Sequence, residues 1–184
     1  MLSFKRLWRI SMSTIYEESG LVFDFSAAKS IERADKQNIQ GLSLVDFIFE
    51  TDSEYIFIEI KNGDNIHARK EGREKFLKDL ALDTYPLKMA MKFKDSLLKE
   101  VVSGAYFAKP ILYLILLEFS VFDANQRKIL LNKIREHIPI FKECEYKAVA
   151  RITFAGIKTL IDFNRDFPNF PCTMKNQDDS SGNR

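Results

Sequence analysis

Two carboxylates and an ammonium group stand close together in residues 45–62, VDFIFETDSEYIFIEIKN. They belong to Asp46, Glu59 and Lys61, and most of their neighbours are phenylalanine or isoleucine. Burying carboxylates among apolar side chains is costly unless something neutralises them. A hard cation such as Mg²⁺ can do so, because it binds one or two carboxylates together with water and phosphate oxygens. These residue types therefore predict a divalent-metal site with a lysine beside it.

The elements that must position these residues are two strands of a β-hairpin. Asp52-Ser53 is the most turn-like pair between the two apolar runs, and a turn there places Asp46 directly opposite Glu59. Directly opposed residues share a face, with Cβ atoms about 4.5–5.5 Å apart, and Lys61 points the same way two residues further on. A slip of one residue would separate the three side chains.

The two faces of this hairpin differ in composition. One face is wholly apolar and is predicted to pack on a helix; it carries Val45, Phe47, Phe49, Ile56, Ile58 and Ile60. The other face is half apolar; it carries Leu44, Asp46, Ile48, Glu50, Tyr55, Phe57, Glu59 and Lys61. A solvated face is usually polar throughout, which favours a buried site. An ordinary hairpin whose charges face water is the alternative.

Asp46, a spacer and then Glu59-Ile60-Lys61 resemble the D…(D/E)-x-K signature of the PD-(D/E)XK phosphodiesterase superfamily, the restriction-endonuclease-like nucleases. The flanking pattern is similar too, and the order of elements resembles that superfamily over about residues 26–154. Val45 stands where the superfamily often has proline. Residues 39–43 leave little room for the strand that commonly precedes the Asp strand, so either it is missing or Leu21–Phe25 supplies an equivalent.

The resemblance implies a fold, an activity and a cofactor. The fold would be a single-domain α/β sandwich of the restriction-endonuclease-like type, with a central mixed β-sheet flanked by helices. Asp46, Glu59 and the carbonyl of Ile60 would hold Mg²⁺ or Mn²⁺, and Lys61 would assist the attacking water. The substrate would be nucleic acid, either DNA or RNA. The alternative is a non-catalytic module that keeps this scaffold and binds nucleic acid or protein.

A helix is predicted from Ser26, as its cap, to about Asn38. In the resembling superfamily an acidic residue of the first helix often joins the metal site, and Glu32 is the candidate by position. The alternative for Glu32 is a surface charge on an amphipathic helix.

A long helical segment is predicted from about His67 to Ser103, divided at Pro86 and followed by Gly104. Its inward stripes are predicted to contain Phe76, Leu77, Leu80 and Ala81, and then Leu87, Ala90, Met91, Leu98 and Val101. The opposite sides are rich in cations, of which the candidate phosphate contacts are Lys70, Arg73, Lys88 and Lys92. A solvated helix surface explains these cations equally well.

Pro110–Glu118 is predicted to be a buried strand, parallel to the second hairpin strand because a long helical crossover connects them. Asp123 and Gln126 form a capping-box pattern for a helix with Leu130, Leu131, Ile134 and Ile138 inward, ended by Pro139. Tyr146–Phe154 alternates like a half-exposed strand. Ile157–Phe163 fits either a strand or a helix.

Length and composition exclude several classes of protein. A chain of 184 residues is expected to form one domain over residues 14–170, after a basic leader (1–13) and before a disordered polar tail (171–184). The leader could instead be a targeting or docking arm. A formal charge of +2 requires any basic surface to be local. Two distant cysteines, Cys144 and Cys172, indicate free thiols and a cytoplasmic protein. No apolar run is long enough to span a membrane.

Overall fold

The computed structural model describes residues 14–65, 70–82, 84–105, 107–138 and 152–175. Their fold is mixed α/β. The strands are β1 (Ile15–Glu18), β2 (Leu21–Asp24), β3 (Ser30–Arg33), β4 (Phe47–Glu50), β5 (Tyr55–Asn62), β6 (Ile111–Glu118), β7 (Ile152–Lys158) and β8 (Cys172–Met174). The helices are α1 (Lys70–Ala81), α2 (Thr84–Val102), α3 (Ala124–His137) and α4 (Leu160–Asp166).

The described strands form a five-stranded sheet in the order β3-β4-β5-β6-β7 and a three-stranded sheet in the order β1-β2-β8. In the larger sheet β3, β4 and β5 are antiparallel, whereas β5, β6 and β7 are parallel. The predicted mixed sheet is therefore confirmed. The crossover from β5 to β6 runs through α1 and α2, as expected, and β6 is buried along nearly its whole length.

The β4–β5 hairpin has the predicted register. Phe47 pairs with Ile58 and Glu50 with Tyr55, and the turn is closed by a bond of 2.9 Å from the Thr51 N–H to the Glu54 carbonyl. Asp46 precedes the paired residues of β4, and its N–H donates to the carbonyl of Ile58, the residue before Glu59. The turn residues and the alternation of side chains along the strands were enough to predict this register, because a slip of one residue would move each side chain of a strand to the opposite face.

Both faces of the hairpin are buried. Leu44, Ile48 and Phe57 belong to a core that includes residues of α2 and α3. Phe47, Phe49, Ile56, Ile58 and Ile60 belong to a second core with residues of β2, α4 and β8. The apolar face was predicted to pack on a helix, and it packs on the three-stranded sheet as well as on a helix. Val45 was assigned to this face but lies in the first core.

The predicted helix from Ser26 to Asn38 is wrong. This segment contains strand β3 and a single 3₁₀ turn, Ala34–Lys36. The reason is tertiary: β4 offers a free edge, and Ile31 pairs with Phe49 across it. Ser26 does not cap a helix; its N–H donates to the Asp24 carboxylate at 2.8 Å. Strand β3 is also the strand that seemed to be missing before the Asp strand, whereas β2 belongs to the other sheet.

Helix α2 begins at Thr84, so the break precedes Pro86, which occupies the first turn where proline is tolerated. Its inward face also differs from the predicted stripe. Ala90 is buried as predicted, and Met89 and Phe93, which the predicted stripe does not include, are buried as well. Of the predicted stripes, Leu77, Leu87, Met91, Leu98 and Val101 are exposed. The start near His67 lies outside the described residues. Gly104 ends α2 with φ of 81° and donates its N–H to the Val101 carbonyl, as predicted.

The predicted capping box of α3 is confirmed, since the Asp123 carboxylate accepts from the Gln126 N–H and the Gln126 side chain accepts from the Asp123 N–H. The ambiguous segment 157–163 divides: β7 ends at Lys158 and α4 follows, capped by Thr159. Pro139 and residues 146–151 lie outside the described residues, as does Cys144.

The ordered fold extends past the predicted boundary at residue 170. Cys172 is 1% exposed and starts strand β8, which pairs with β2. Its N–H donates to the Asn164 side-chain oxygen, and the Asn164 amide donates back to the Cys172 carbonyl, both at 2.8 Å. The predicted leader (1–13) and residues 176–184 lie outside the described part. Within the described part, no helix combines the length and apolar character needed to cross a membrane.

Candidate functional site

Asp46, Glu59 and Lys61 come together on the face of the larger sheet that α2 covers. Asp46 lies one residue before β4, and its N–H donates to the Ile58 carbonyl at 3.1 Å. The Lys61 ammonium lies 2.6 Å from Glu59 Oε1. The sequence-predicted register is responsible for this proximity, since alternate residues of β5 point to one face.

The Asp46 carboxylate is held by the backbone of the neighbouring strand. Asp46 Oδ2 accepts a hydrogen bond of 2.6 Å from the Ile60 N–H. Ile60 therefore orients Asp46 through its N–H, while its side chain is buried in the opposite core. Asp46 Oδ1 is directed differently and lies 3.9 Å from the Lys92 ammonium.

Helix α2 places a second ammonium group on the carboxylates. The Lys92 Nζ lies 2.8 Å from Glu59 Oε2. Glu59 thus lies between two lysines, one on each carboxylate oxygen. Sequence reasoning named Lys92 as a phosphate contact, and the structure shows it beside the acidic pair.

Burial dominates the electrostatics of the site. Glu59 is 0% and Asp46 6% exposed. Burial, followed by the nearby charge of Glu59, raises the pKa of Asp46 to about 7, although Lys61, Lys92 and the Ile60 N–H oppose the shift. Burial alone would lower the pKa of Lys61, but the charges of Glu59 and Asp46 outweigh it and raise that pKa. Lys61 is therefore a persistent cation and not a general base at neutral pH.

The residues that could hold a divalent cation are the two buried carboxylates. The Lys61 and Lys92 ammonium groups lie 2.6 Å and 2.8 Å from the two oxygens of Glu59. The nearby Tyr85 hydroxyl is buried and has no hydrogen-bond partner among the described residues. A buried polar atom of this kind calls for a water or an ion. Two carboxylates without histidine or cysteine suit Mg²⁺ or Mn²⁺ better than zinc.

Glu32 does not complete a set of three acids. It lies on β3 opposite Ile48, where its carboxylate pairs with the Lys99 ammonium and accepts from the Gln37 amide at 2.6 Å. Lys99 also contacts Glu100 at 2.8 Å. No group of three His, Cys, Asp or Glu side chains in the described part could hold a metal ion.

A cavity of about 520 Å³ lies beside the acidic pair. Its lining consists of Ser43, Lys61, Gly72, Lys75, Phe76, Asp79, Tyr85, Lys88, Met89, Met91 and Lys92. Lys88, a predicted phosphate contact, lies here and pairs with Asp79 at 2.6 Å. Lys70 is exposed, pairs with Glu74 at 3.8 Å and is not part of the lining. Arg73 belongs to α1, but its side chain lies outside the described part.

Sequence reasoning missed Lys75 and Tyr85 as cavity residues. A usable signal was present in the spacing. Tyr85, Lys88, Met89 and Lys92 follow i, i+3, i+4, i+7, which is one face of a helix. A helical face that mixes lysine with aromatic and methionine side chains is neither a plain core stripe nor a plain solvated face.

The burial of Asp46 predicts pH-dependent stability in metal-free buffer. Its pKa is about 7 in the folded protein and about 3.9 in an unfolded chain. Between these two values the folded state binds a proton that the unfolded state has released, so this contribution to stability falls as pH rises from about 4 to about 7 and is absent above that. We expect the urea midpoint in EDTA to fall between about pH 5 and 7 and to level off above, and Asp46→Asn to reduce that slope. Equal slopes in both proteins would contradict the assignment.

Comparison with known proteins adds no further identification. The chain matches no protein-family model, no curated protein and no solved structure. The chemistry of this site must therefore be inferred from its own side chains, namely a facing Asp–Glu pair with two lysines beside a cationic cavity.

Proposed function

We propose that this chain is a divalent-metal-dependent nuclease that hydrolyses phosphodiester bonds in nucleic acid. The observation that supports this most strongly is the buried Asp46–Glu59 pair with Lys61 on the same face of the hairpin. Opposed carboxylates destabilise a sheet, so their presence in a core favours a role that requires them. Strand order around the pair, with β3 before it and parallel β6 after it, is consistent with a restriction-endonuclease-like sandwich.

In this proposal Asp46, Glu59 and the Ile60 carbonyl hold Mg²⁺ or Mn²⁺. A bound metal polarises a phosphodiester oxygen and lowers the pKa of its water. The protein supplies the rest. The Ile60 N–H fixes the orientation of Asp46, and Lys61, a persistent cation, orients the attacking water and stabilises the charge that develops on phosphorus-bound oxygens. Burial beneath α2 excludes bulk water and strengthens each of these interactions.

A non-catalytic binding module is the second candidate. One observation favours it: Lys61 and Lys92 already place an ammonium group on each oxygen of Glu59. The acidic pair is thus partly neutralised without a metal, and a buried charge network can persist for specificity of folding alone. The two candidates differ in whether the native protein binds a divalent cation.

Mn²⁺ should raise the melting temperature of the wild-type protein if the nuclease proposal is correct. A ligand that binds only the folded state at a hundred times its Kd stabilises it by about 2.7 kcal/mol, which corresponds to roughly 5–10 °C for a chain of this size. The measurement is a thermal scan in EDTA and in millimolar Mn²⁺. Glu59→Gln should lose the shift because it removes one of the two ligand charges.

The matched control for this measurement is Asp52→Asn. Asp52 lies in the turn of the same hairpin with its side chain 94% exposed, so its loss changes the net charge equally without touching the site. Asp52→Asn should keep the full Mn²⁺ shift. A wild-type protein without any shift at millimolar Mn²⁺ would favour the non-catalytic module.

A further inference from the structure

The cavity beside Asp46 and Glu59 is small and partly open to solvent. Its walls come from α1, α2, the end of β5 and the loop at Ser43. At about 520 Å³, it falls within the range of about 300–1,000 Å³ that is typical of small-molecule sites. A cavity of this size suits an unstacked nucleotide better than a base-paired duplex.

The lining of this cavity is both cationic and aromatic. Four lysines line it, namely Lys61, Lys75, Lys88 and Lys92. Lys88 pairs with Asp79, Lys61 and Lys92 pair with Glu59, and Lys92 also lies 3.9 Å from Asp46, so these four cations exceed the three adjacent acids by one. The half-buried Phe76 also lines it, with its ring 4.8 Å from that of Tyr85. Proteins that bind single strands combine these two features, because lysines track phosphates and rings stack with unpaired bases.

The depth of the acidic pair argues against direct access by a duplex. Glu59 is 0% exposed, and the side chains of Lys61 and Lys92 beside it are only 35% and 20% exposed. A duplex is stiff on the scale of about 50 nm and presents its phosphates on a wide convex surface. A single nucleotide can enter a pocket when it is unstacked, at a cost of a few kcal/mol that is smallest for a strand already unpaired.

We propose that this cavity binds an unpaired nucleic-acid strand, so that the substrate of the site is single-stranded DNA or RNA and not an intact duplex. The proposal rests on the nuclease function proposed above for the location of the chemistry. Binding itself requires only the lysines and the cavity, so it can be measured without a metal.

The test is fluorescence anisotropy with the full chain in EDTA, at several salt concentrations. The probes are a single-stranded DNA, a single-stranded RNA of the same sequence, and a closed duplex, whose terminal base pairs are covalently cross-linked so that no end can fray and no nucleotide is unpaired. We expect at least one single strand to bind about tenfold or more tightly than the closed duplex. The two single-stranded arms distinguish DNA from RNA. Equal or tighter binding of the closed duplex would overturn the proposal.

A pair of variants on α1 locates the binding. Lys75 and Lys78 are both exposed, but only Lys75 lines the cavity. Lys75→Gln should weaken single-strand binding several-fold and reduce the salt slope by about 0.7, the value for one phosphate contact on a single strand. Lys78→Gln, with the same loss of charge, should change neither. Equal effects of the two variants would show binding outside the cavity.

Failure of the single-strand proposal and failure of the nuclease proposal would give different results. Single-strand binding that depends on Lys75, together with no cleavage in Mg²⁺ or Mn²⁺, would support the cavity assignment and overturn the nuclease. Metal-dependent cleavage of a closed duplex would support the nuclease and overturn the single-strand preference.

Discussion

Replacing Glu59 with glutamine should reduce Mg²⁺-dependent cleavage of nucleic acid at least about a hundredfold, a loss typical of removing one charge-stabilising group from an active site. Gln has nearly the same shape but cannot supply the negative charge that binds the cation. Glu59 is fully buried between Lys61 and Lys92. Bulk water therefore cannot readily supply the metal ligand that the substitution removes. Initial cleavage rates on labelled single- and double-stranded oligonucleotides are the measurement, with folding checked by circular dichroism.

Asp46→Asn and Lys61→Met should cause losses of similar size. The three residues act as one unit, so a double variant should lose little more than each single variant. Asp52→Asn and Lys94→Met are matched controls, because Asp52 lies at the exposed turn of the same hairpin and Lys94 on an exposed side of α2. Cleavage that persists equally in all three site variants would disprove the assignment of the site.

The hairpin could be predicted from the sequence because its signals are local. The turn at Asp52-Ser53 and the alternation of β4 and β5 are encoded within a few residues, and burial on both sides penalises every other register. The order β5, helix, β6 was also predictable, because adjacent parallel strands require a long crossover, and the helical segment between β5 and β6 supplies one.

The segment before the hairpin could not be predicted in this way. Residues 30–33 carry a weak helical spacing, and what makes them a strand is the free edge of β4, a partner distant in sequence. Propensity is a weak prior that such tertiary pairing overrides. The error placed Glu32 on a helix as a candidate metal ligand, whereas the structure places it on β3, where it pairs with Lys99.

The contact of Lys92 with Glu59 was not predicted, for a similar reason. This contact depends on which side of α2 faces the sheet. That side contains Ser96, Lys99 and Glu100, all buried. Because these residues are polar, the inward face of α2 does not appear in the sequence as an apolar stripe. Ser96 Oγ accepts from the Val45 N–H at 2.9 Å, so the inward face of α2 is held partly by polar contacts with the sheet and its edge.

Phe93→Ala should destabilise the protein by about 3–5 kcal/mol, the cost of removing a buried phenylalanine. Phe93 is 0% exposed and stacks on Tyr113 at 4.8 Å, with Phe57 at 5.7 Å. It lies one position after Lys92 and attaches α2 to the sheet above the site. The variant should therefore also weaken the contact of Lys92 with Glu59. Urea unfolding monitored by circular dichroism measures the free energy.

Leu98→Ala is the control that separates the two possible orientations of α2. The apolar stripe in the sequence assigns Leu98 to the core and does not include Phe93, whereas in the structure Leu98 is 53% exposed. Its truncation should change stability by no more than about 0.5 kcal/mol. A large loss in Leu98→Ala with a small one in Phe93→Ala would mean that α2 is rotated. Lys92 would then point away from Glu59, and the cavity beside the acidic pair would not have this lining.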